Sequence, residues 1–224
     1  MDIAEEQREH WTRVYAGNPH MYGDAPSEVA RHAGAVFAER GARSVLELGA
    51  GHGRDALWLA GQGFPVTATD FSAPGLEQLD EAAAGLGRAD SVRTVLHDAR
   101  DPLPFADGSF DGVMAHMLLC MALSTDRIRA LVGEIGRVLR PGGALVYSVR
   151  HTGDAHYGQG VSHGDDIYEH GGFAVHFFPR ALVDELAQGW ALQEVHAFEE
   201  GELPRRLWRV TQTRPVSGEQ AATS

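Results

Sequence analysis

The spacing of apolar residues changes along the chain, and this change predicts where helices give way to strands. Trp11 and Tyr15 lie four residues apart, which predicts a helix over residues 3–16 with both rings on one face. After the turn-rich stretch 17–26, a second helix is predicted over residues 27–41. From residue 44 onward, short apolar runs typical of buried strands alternate with helical stretches.

These alternating runs predict a parallel sheet with helices on both faces. The predicted elements in this part of the chain are strand 44–48, helix 55–60, strand 66–69, helix 72–86, strand 92–96, strand 110–115, helix 126–139 and strand 144–149. A helix over 179–188 follows, and then two strands, 191–198 and 207–213, joined by the turn-like sequence EEGELP. Two consecutive strands with a short connection form an antiparallel hairpin. We therefore expect a doubly wound α/β fold whose mostly parallel sheet ends in an antiparallel hairpin.

Composition and charge narrow the class of protein. The chain has 224 residues, of which 43% are hydrophobic and 22% charged, and these values fit one soluble domain. Its net charge of -12 argues against a nucleic-acid partner, which would require a basic surface. No stretch reaches the ~20 apolar residues of a membrane span, and the acidic N-terminus does not resemble a signal peptide. The single cysteine, Cys120, predicts a buried thiol, and we expect a cytoplasmic protein.

The first predicted strand ends in a glycine-rich turn with the sequence Glu47-Leu48-Gly49-Ala50-Gly51-His52-Gly53. Glycines at this point allow a tight turn and let a ligand lie against the backbone. The spacing G-x-G-x-G is shorter than the G-x-G-x-x-G of dinucleotide enzymes. Glu47 would repel a pyrophosphate and attract a cationic amino or sulfonium group. The turn predicts a positively charged nucleoside ligand, and the alternative is a structural turn with a surface glutamate.

Three further polar residues stand where predicted strands end. Asp70 follows the second strand, at an offset from the turn where a carboxylate accepts hydrogen bonds from ribose hydroxyls. The alternative role for Asp70 is to cap the next helix, although Ser72 competes for that position. Asp98 follows the third strand, where a carboxylate can accept from an adenine amine or simply belong to a loop. His116 follows the fourth strand, at the crevice expected between the first and fourth strands.

The sequences ELGAGHGR, HDARDPLPFADGSFDGVMAH and RVLRPGGALVYSV, with Asp70 after the first, resemble the ordered motifs of class I S-adenosylmethionine-dependent methyltransferases. The resemblance covers about residues 40–150 and implies a Rossmann-like, seven-stranded sheet with an antiparallel last strand. It also implies S-adenosyl-L-methionine as the cofactor, with residues 47–53 at the methionine part, Asp70 at the ribose, and Asp98 with Ala99 at the adenine. The full set of expected cofactor-binding residues is Trp11, Tyr15, Glu47, Gly49, Ala50, Gly51, Gly53, Asp70, Phe71, Asp98, Ala99 and His116.

A finer likeness concerns the acceptor. The sequence RDALWLAGQGF and the late GEL followed by basic residues look like the tellurite-resistance (TehB-like) branch and related small-molecule methyltransferases. This likeness implies a small-molecule acceptor. We expect neither a nucleic acid nor a membrane as partner, and a protein that is a monomer or a homodimer.

The segments that precede and follow residues 40–150 are predicted to cover the site. Residues 1–41 are expected to form a helical lid in which Trp11 and Tyr15, followed by Met21 and Tyr22, cover the sulfonium. The alternative is that Trp11 and Tyr15 only dock the helix to the sheet. Residues 42–214 are the expected methyltransferase domain, with a substrate-lid insertion at about 151–178, and residues 215–224 are an expected disordered tail.

The predicted insertion carries five histidines between residues 151 and 176. Arg150 and His151 are the candidate catalytic residues, which would bind an anionic acceptor or remove its proton. A mobile solvated loop is one alternative. A metal site is another, but no histidine pair there has the i, i+4 spacing of a helical site, and we predict no metal. Further along, Arg205, Arg206 and Arg209 either bind an anionic acceptor or decorate an exposed strand.

The predicted function is methyl transfer to a small molecule by in-line displacement, which depends on alignment and water exclusion more than on a catalytic dyad. Two other classes stay open. One is an NAD(P)-dependent oxidoreductase, disfavoured by the glycine spacing, by Glu47 and by the absence of a Tyr-x-x-x-Lys pair. The other is a non-catalytic module that binds S-adenosylmethionine, because this displacement need not leave a catalytic signature.

Overall fold

The computed structural model describes residues 3–18, 23–201 and 205–216. Parts of three predictions lie outside the described residues. These parts are Met21 and Tyr22 of the expected lid, residues 202–204 of the hairpin turn, and residues 217–224 of the expected tail.

The described residues form helices and strands in the predicted order, with three added strands. The helices are α1 Ile3–Gly17, α2 Glu28–Glu39, α3 Arg54–Gly61, α4 Ala73–Gly85, α5 Thr125–Val138 and α6 Arg180–Leu186. The strands are β1 Val45–Leu48, β2 Val66–Asp70, β3 Val92–Leu96, β4 Phe110–His116, β5 Leu139–Arg150, β6 Val161–Gly164, β7 Ile167–His170, β8 Phe173–His176, β9 Ala191–Glu200 and β10 Arg205–Thr213. Ser27, Ser72 and Ser124 cap α2, α4 and α5 by accepting a backbone N–H of the first turn. The cap of α4 is therefore Ser72.

Seven strands form one sheet in the order β3-β2-β1-β4-β5-β10-β9. The neighbours from β3 to β5 run parallel, whereas β10 is antiparallel to both β5 and β9. This arrangement confirms the predicted α/β, Rossmann-like sheet with its C-terminal antiparallel hairpin. The strand order reverses between β1 and β4, and in such sheets a crevice opens there at the carboxyl ends of the strands.

Alternation along β5 distributes its side chains between the two covered faces of the sheet. Leu145, Tyr147 and Val149 belong to a core with α5 and α6, and Ala144 and Val146 to a second core with α2, α3 and α4. Burial on both faces is typical of parallel strands. The same alternation places Ser148 and Arg150, the last two even-numbered residues of β5, on the second face, at the crevice.

Two stretches depart from the predicted elements. β5 begins at Leu139, which pairs with Phe110, so residues 139–143 belong to a strand with an irregular register and not to a helix end and loop. The expected insertion at 151–178, predicted without regular structure, contains β6, β7 and β8 as a separate antiparallel sheet. These strands have only four residues each and are separated by turns, so too little alternation exists to reveal them.

Candidate functional site

A cavity of 490 Å³ opens at the carboxyl ends of β1, β2, β4 and β5, and α1, β7 and β8 contribute its other walls. This volume is in the range of small-molecule sites. The expected site residues that line it are Trp11, Tyr15, Glu47, Gly49, Ala50, Asp70, Phe71, His116 and Arg150. The expected site residues that do not line it are Gly51, Gly53, Asp98, Ala99 and His151.

The turn between β1 and α3 adopts backbone conformations that favour glycine. The φ angles of Gly49, Gly51 and Gly53 are 73°, 56° and 85°. A Cβ atom on Gly49 would lie 3.1 Å from Cδ1 of Leu118, and one on Gly51 would overlap the ring of Tyr15. The turn is therefore shaped both by its own conformation and by the close approach of neighbouring side chains.

Glu47 lies in the cavity wall at the end of β1, and only 3% of its surface is exposed. Its Oε2 atom is buried without a hydrogen-bond partner among the described residues. Burial raises the pKa of Glu47 well above its usual value, the carboxylates of Asp55 and Asp70 raise it further, and Arg54 partly opposes them. A buried acceptor without a donor is costly, so the site is suited to a ligand that brings an N–H group or a positive charge.

Asp70 connects the glycine turn to the end of β2. Its Oδ2 accepts the N–H of Gly51 at 2.8 Å, and its Oδ1 accepts the N–H of Ser72 at 2.8 Å. Burial raises the pKa of Asp70, although these backbone hydrogen bonds act against the shift. The carboxylate holds the turn in place and also faces the cavity, where its remaining lone pairs can accept from hydroxyl groups.

Asp98 lies outside the cavity wall and binds Arg100. The guanidinium of Arg100 donates to both carboxylate oxygens of Asp98 at 2.6–3.0 Å and also reaches Glu5 of α1 at 3.0 Å. Burial acts to raise the pKa of Asp98, but the hydrogen bonds from Arg100 outweigh it and the pKa is lowered. The structure thus ties Asp98, and the loop that carries Ala99, to α1.

α1 covers the cavity beside the glycine turn. The buried side chain of Gln7 makes hydrogen bonds of 3.0 and 3.1 Å to backbone groups of residues 172 and 174. The ring centroid of Trp11 lies 5.2 Å from that of Phe173 and 5.9 Å from that of Tyr15. α1 and β8 therefore form one continuous, largely aromatic wall.

His116 occupies the predicted crevice at the end of β4. Its Nδ1 lies 2.7 Å from Oγ of Ser148, which also accepts the N–H of Met117 at 3.1 Å. Nε2 lies 3.5 Å from Oε1 of Glu200 and 3.4 Å from Nη2 of Arg54.

Arg150 presents its guanidinium to the cavity at the end of β5. The buried carboxylate of Asp154 accepts from Nε at 3.1 Å and from Nη2 at 2.5 Å, and Nδ1 of His156 accepts from Nη2 at 2.7 Å. The guanidinium carbon lies 5.0 Å from the ring centroid of Phe177. Nη1 has no hydrogen-bond partner among the described residues and is not fully buried, so it is accessible to a ligand.

His151 points away from the cavity because neighbouring residues at the end of a strand face opposite sides. Its ring stacks on that of Trp208, with centroids 4.6 Å apart and planes at 13°. Burial lowers the pKa of His151. Of the two candidate catalytic residues, the structure brings only Arg150 to the cavity.

Several lining residues were missed by the sequence analysis. Met117, Leu118 and Met121 belong to the apolar run around Cys120, whose pKa burial raises to about 11. Their position directly after His116, at the crevice, was the available signal. The other missed residues that line the cavity include Arg54, Phe173, Val175, Phe177 and Glu200.

The described part of the chain contains no group of three or more His, Cys, Asp or Glu side chains that could hold a metal ion. It also contains no helix that is long and apolar enough to cross a membrane.

Known proteins share both the sequence pattern and the fold. Residues 45–143 match a family model described as a methyltransferase domain. O-methyltransferase resE of Aspergillus sclerotiorum is 34% identical over 146 residues, which are 60% of this chain and 54% of that protein, so the chain spans about half the length of this relative.

Two solved structures show the fold. The 1,6-didemethyltoxoflavin-N1-methyltransferase of Burkholderia thailandensis has a TM-score of 0.74 at 22% identity and covers 95% of this chain and 89% of its own. TehB of Haemophilus influenzae has a TM-score of 0.65 at 15% identity, and the match covers 93% of this chain and 67% of the TehB chain. Residues 45–143 thus match a methyltransferase domain, and the described residues share the fold of a methyltransferase of known structure.

Proposed function

We propose that this chain is an enzyme that transfers a methyl group from S-adenosylmethionine to a small-molecule acceptor. The observation that carries this proposal is the buried, unpartnered Oε2 of Glu47 beside the glycine turn. The α-ammonium group of the cofactor's methionine part is a cation with N–H donors, and it fits such an acceptor. The pyrophosphate of a nicotinamide cofactor would be repelled there, which disfavours the NAD(P)-dependent oxidoreductase.

The other residues of the turn fit the remaining parts of this cofactor. Gly49 and Ala50 line the cavity and offer backbone for the methionine part, and Asp70 faces the cavity as an acceptor for ribose hydroxyls. Phe71, the next residue, lines the cavity and offers a ring face to the nucleoside. Contact of Asp98 and Ala99 with the adenine stays a prediction, and it requires Asp98 to share its hydrogen bonds with Arg100.

When bound, the cofactor supplies an electrophilic methyl group on a positively charged sulfur. The protein's part in this chemistry is to align the acceptor and to exclude water. Trp11 and Tyr15 serve both purposes, because α1 covers the cavity and aromatic faces stabilise a cation by ~0.5–2 kcal/mol. We infer that residues 1–41 act as a lid and that residues 42–214 form the methyltransferase domain. The insertion at about 151–178 supplies the wall on the acceptor's side.

The names of similar proteins support a small-molecule acceptor but differ in the atom that receives the methyl group. One relative is named as an O-methyltransferase, whereas a structural neighbour is named as an N1-methyltransferase. The chemistry of the acceptor therefore has to be inferred from the cavity itself.

Calorimetric titration of the purified chain with S-adenosylmethionine, S-adenosylhomocysteine and NAD tests this proposal. We expect the first two to bind and NAD not to bind. Glu47→Gln should weaken binding by about 10- to 100-fold through loss of a charge-assisted hydrogen bond. Glu81→Gln, on the exposed side of α4, is the matched control and should leave the affinity unchanged.

Labelled methyl transfer to a panel of small acceptors separates an enzyme from a non-catalytic binding module. Transfer to any acceptor supports the proposal. Binding without transfer to any member of a broad panel would favour the module, and preferential binding of NAD would refute the assignment altogether.

A further inference from the structure

Five polar side chains are brought to one face of the sheet by strand register. His116 pairs with Ser148, and Arg150 follows Ser148 by two residues on the same face. Leu207 of β10 pairs with Arg150, so Arg205, two residues earlier, also lies on this face, and Glu200 of β9 pairs with Arg205. Apart from Ser148, these polar side chains line the cavity. Glu47 of β1 lies on the same face, because it pairs with Met114, two residues before His116. Arg150 and Arg205 belong to β5 and β10, which lie farther from the glycine turn, and this part of the face is available to the acceptor.

Each arginine of this face has a carboxylate partner, but one edge of the Arg150 guanidinium has no hydrogen bond to the described residues. Asp154 is buried behind Arg150 and occupies two of its nitrogen atoms, but Nη1 stays accessible and unpaired among the described residues. Arg205 is paired with Glu200, with a distance of 3.2 Å from Nη2 to Oε2. An unpaired guanidinium edge fixed by a buried carboxylate is a preorganised site for an oxyanion.

The ionisable side chains closest to this edge are already engaged in hydrogen bonds. Nδ1 of His116 lies 2.7 Å from Oγ of Ser148, and Nδ1 of His156 accepts from Nη2 of Arg150 at 2.7 Å. Burial acts to raise the pKa of Glu200, but the hydrogen bond from His116 and nearby arginines lower it. An alcohol, phenol or amine would have to lose a proton to such groups, whereas a carboxylate has none to lose.

The rest of this part of the cavity is apolar. Met117 and Met121 come from the loop after β4, and Phe173, Val175 and Phe177 come from β8 and the residue that follows it. Phe177 also packs under the guanidinium of Arg150. A ligand that fits these surroundings combines one anionic group with an apolar body.

We propose that the acceptor is a carboxylate with an apolar body and that Nη1 of Arg150 binds its carboxylate group. This inference rests on the proposed methyl transfer. A carboxylate oxygen forms the new bond to the methyl carbon as the carbon–sulfur bond breaks, and sulfur keeps that electron pair. The products are a methyl ester and neutral S-adenosylhomocysteine, and no proton leaves.

Matched ligands and variants test the inference on the full chain loaded with S-adenosylhomocysteine. The probes are octanoate against octanamide and benzoate against phenol, each measured by calorimetry. The variant Arg150→Met/Asp154→Asn removes the guanidinium together with its buried counter-ion, so that no unpaired charge is left inside. Arg206→Met is the control, because the guanidinium of Arg206 does not line the cavity and instead contacts Glu199 and the backbone oxygen of Gly153 at the exposed surface. The affinity of every variant for S-adenosylhomocysteine reports whether the fold is intact.

We expect at least one of the two carboxylates to bind 10-fold or more tightly than its neutral partner. The double variant should weaken carboxylate binding by about 10- to 100-fold without changing the affinity for S-adenosylhomocysteine, and Arg206→Met should change neither. Labelled methyl from S-adenosylmethionine should appear in an ester that alkali hydrolyses.

The outcomes distinguish this inference from the proposed function. If the wild type does not bind S-adenosylhomocysteine, the proposed function fails, and this inference fails with it. If it does bind, equal affinity for the charged and neutral probes, including no binding of either, overturns the inference alone. Carboxylate binding that the double variant retains, or methyl transfer to phenol in preference to the acids, would also overturn it.

Discussion

Binding of the cofactor should release a proton from Glu47. In the ligand-free protein, burial raises the pKa of this carboxyl well above its usual value, and the carboxylates of Asp55 and Asp70 add to the shift. A cationic ammonium group placed against the carboxyl favours its ionised form and lowers the pKa again. At a pH between the two values, Glu47 is protonated before binding and ionised afterwards.

The number of protons released on binding follows from the titration of Glu47 alone. Between the lowered and the raised pKa, up to one proton per bound ligand leaves Glu47, and at higher pH the number falls to zero. Titration of S-adenosylhomocysteine at pH 6 in buffers of different ionisation enthalpy measures it, because the observed heat changes in proportion to the protons released. Near pH 6 the ligand's own amino group is already protonated.

Glu47→Gln is the decisive comparison, since it keeps the shape of the side chain and removes its titration. We expect proton release from the wild type and about one proton less from the variant. An equal number of protons for both proteins would show that binding does not change the ionisation of Glu47, and the electrostatic argument would be refuted.

The same pKa shift determines how stability depends on pH. A carboxyl with a raised folded-state pKa binds more protons in the folded protein than in the unfolded chain. Its contribution is therefore fully present below about pH 4.5 and is lost as pH rises through the folded-state pKa. At pH 7 the ligand-free Glu47→Gln variant should be more stable than the wild type by about 1–3 kcal/mol. Denaturant unfolding at pH 5 and pH 7 measures the difference, and greater stability of the wild type at pH 7 would contradict it.

Three further predictions concern the walls of the site. Gln7→Ala removes both hydrogen bonds between α1 and the backbone around β8, and it should lower the free energy of unfolding by about 1–3 kcal/mol and speed cofactor dissociation, as measured by denaturant titration and stopped flow. Gly51→Ala places a Cβ atom against Tyr15 at a φ of 56°, and calorimetry should show cofactor binding at least 10-fold weaker; unchanged affinity would mean that α1 moves away freely. His151→Ala removes a ring that stacks on Trp208 outside the cavity, so turnover should stay within about 2-fold of wild type, and a larger loss in steady-state kinetics would restore its candidacy as a catalytic residue.

Local chemistry was sufficient to predict which residues of β1 and β2 lie together at the cavity. Strand ends and glycine turns depend on residues close together in the sequence, so Glu47, Asp70 and the turn could be recognised directly. The structure adds that Glu47 is buried and unpartnered, which depends on the neighbouring elements packed around it. Burial by distant segments has no signature within the turn itself.

The acceptor half was only partly predictable. The sequence nominated Arg150 and His151 together, because the predicted strand ended at residue 149 and the facing of the next two residues was undefined. Pairing of Leu207 with Arg150 extends the strand by one residue and assigns the two side chains to opposite faces. β6, β7 and β8 were not predicted, because strands of four residues show too little alternation of apolar and polar side chains.

The sequence by itself determined the order of elements, the parallel sheet and the chemistry of the glycine turn, since these follow from periodicity and from conformations available to single residues. Only the tertiary structure decided which charged groups meet. Arg100 takes up Asp98 together with Glu5 of α1, although Glu5 lies 95 residues away in the chain. Asp154 and the register of β10 leave one edge of Arg150 open to the cavity. Ion pairs between distant segments form through space, so only folding selects the partners.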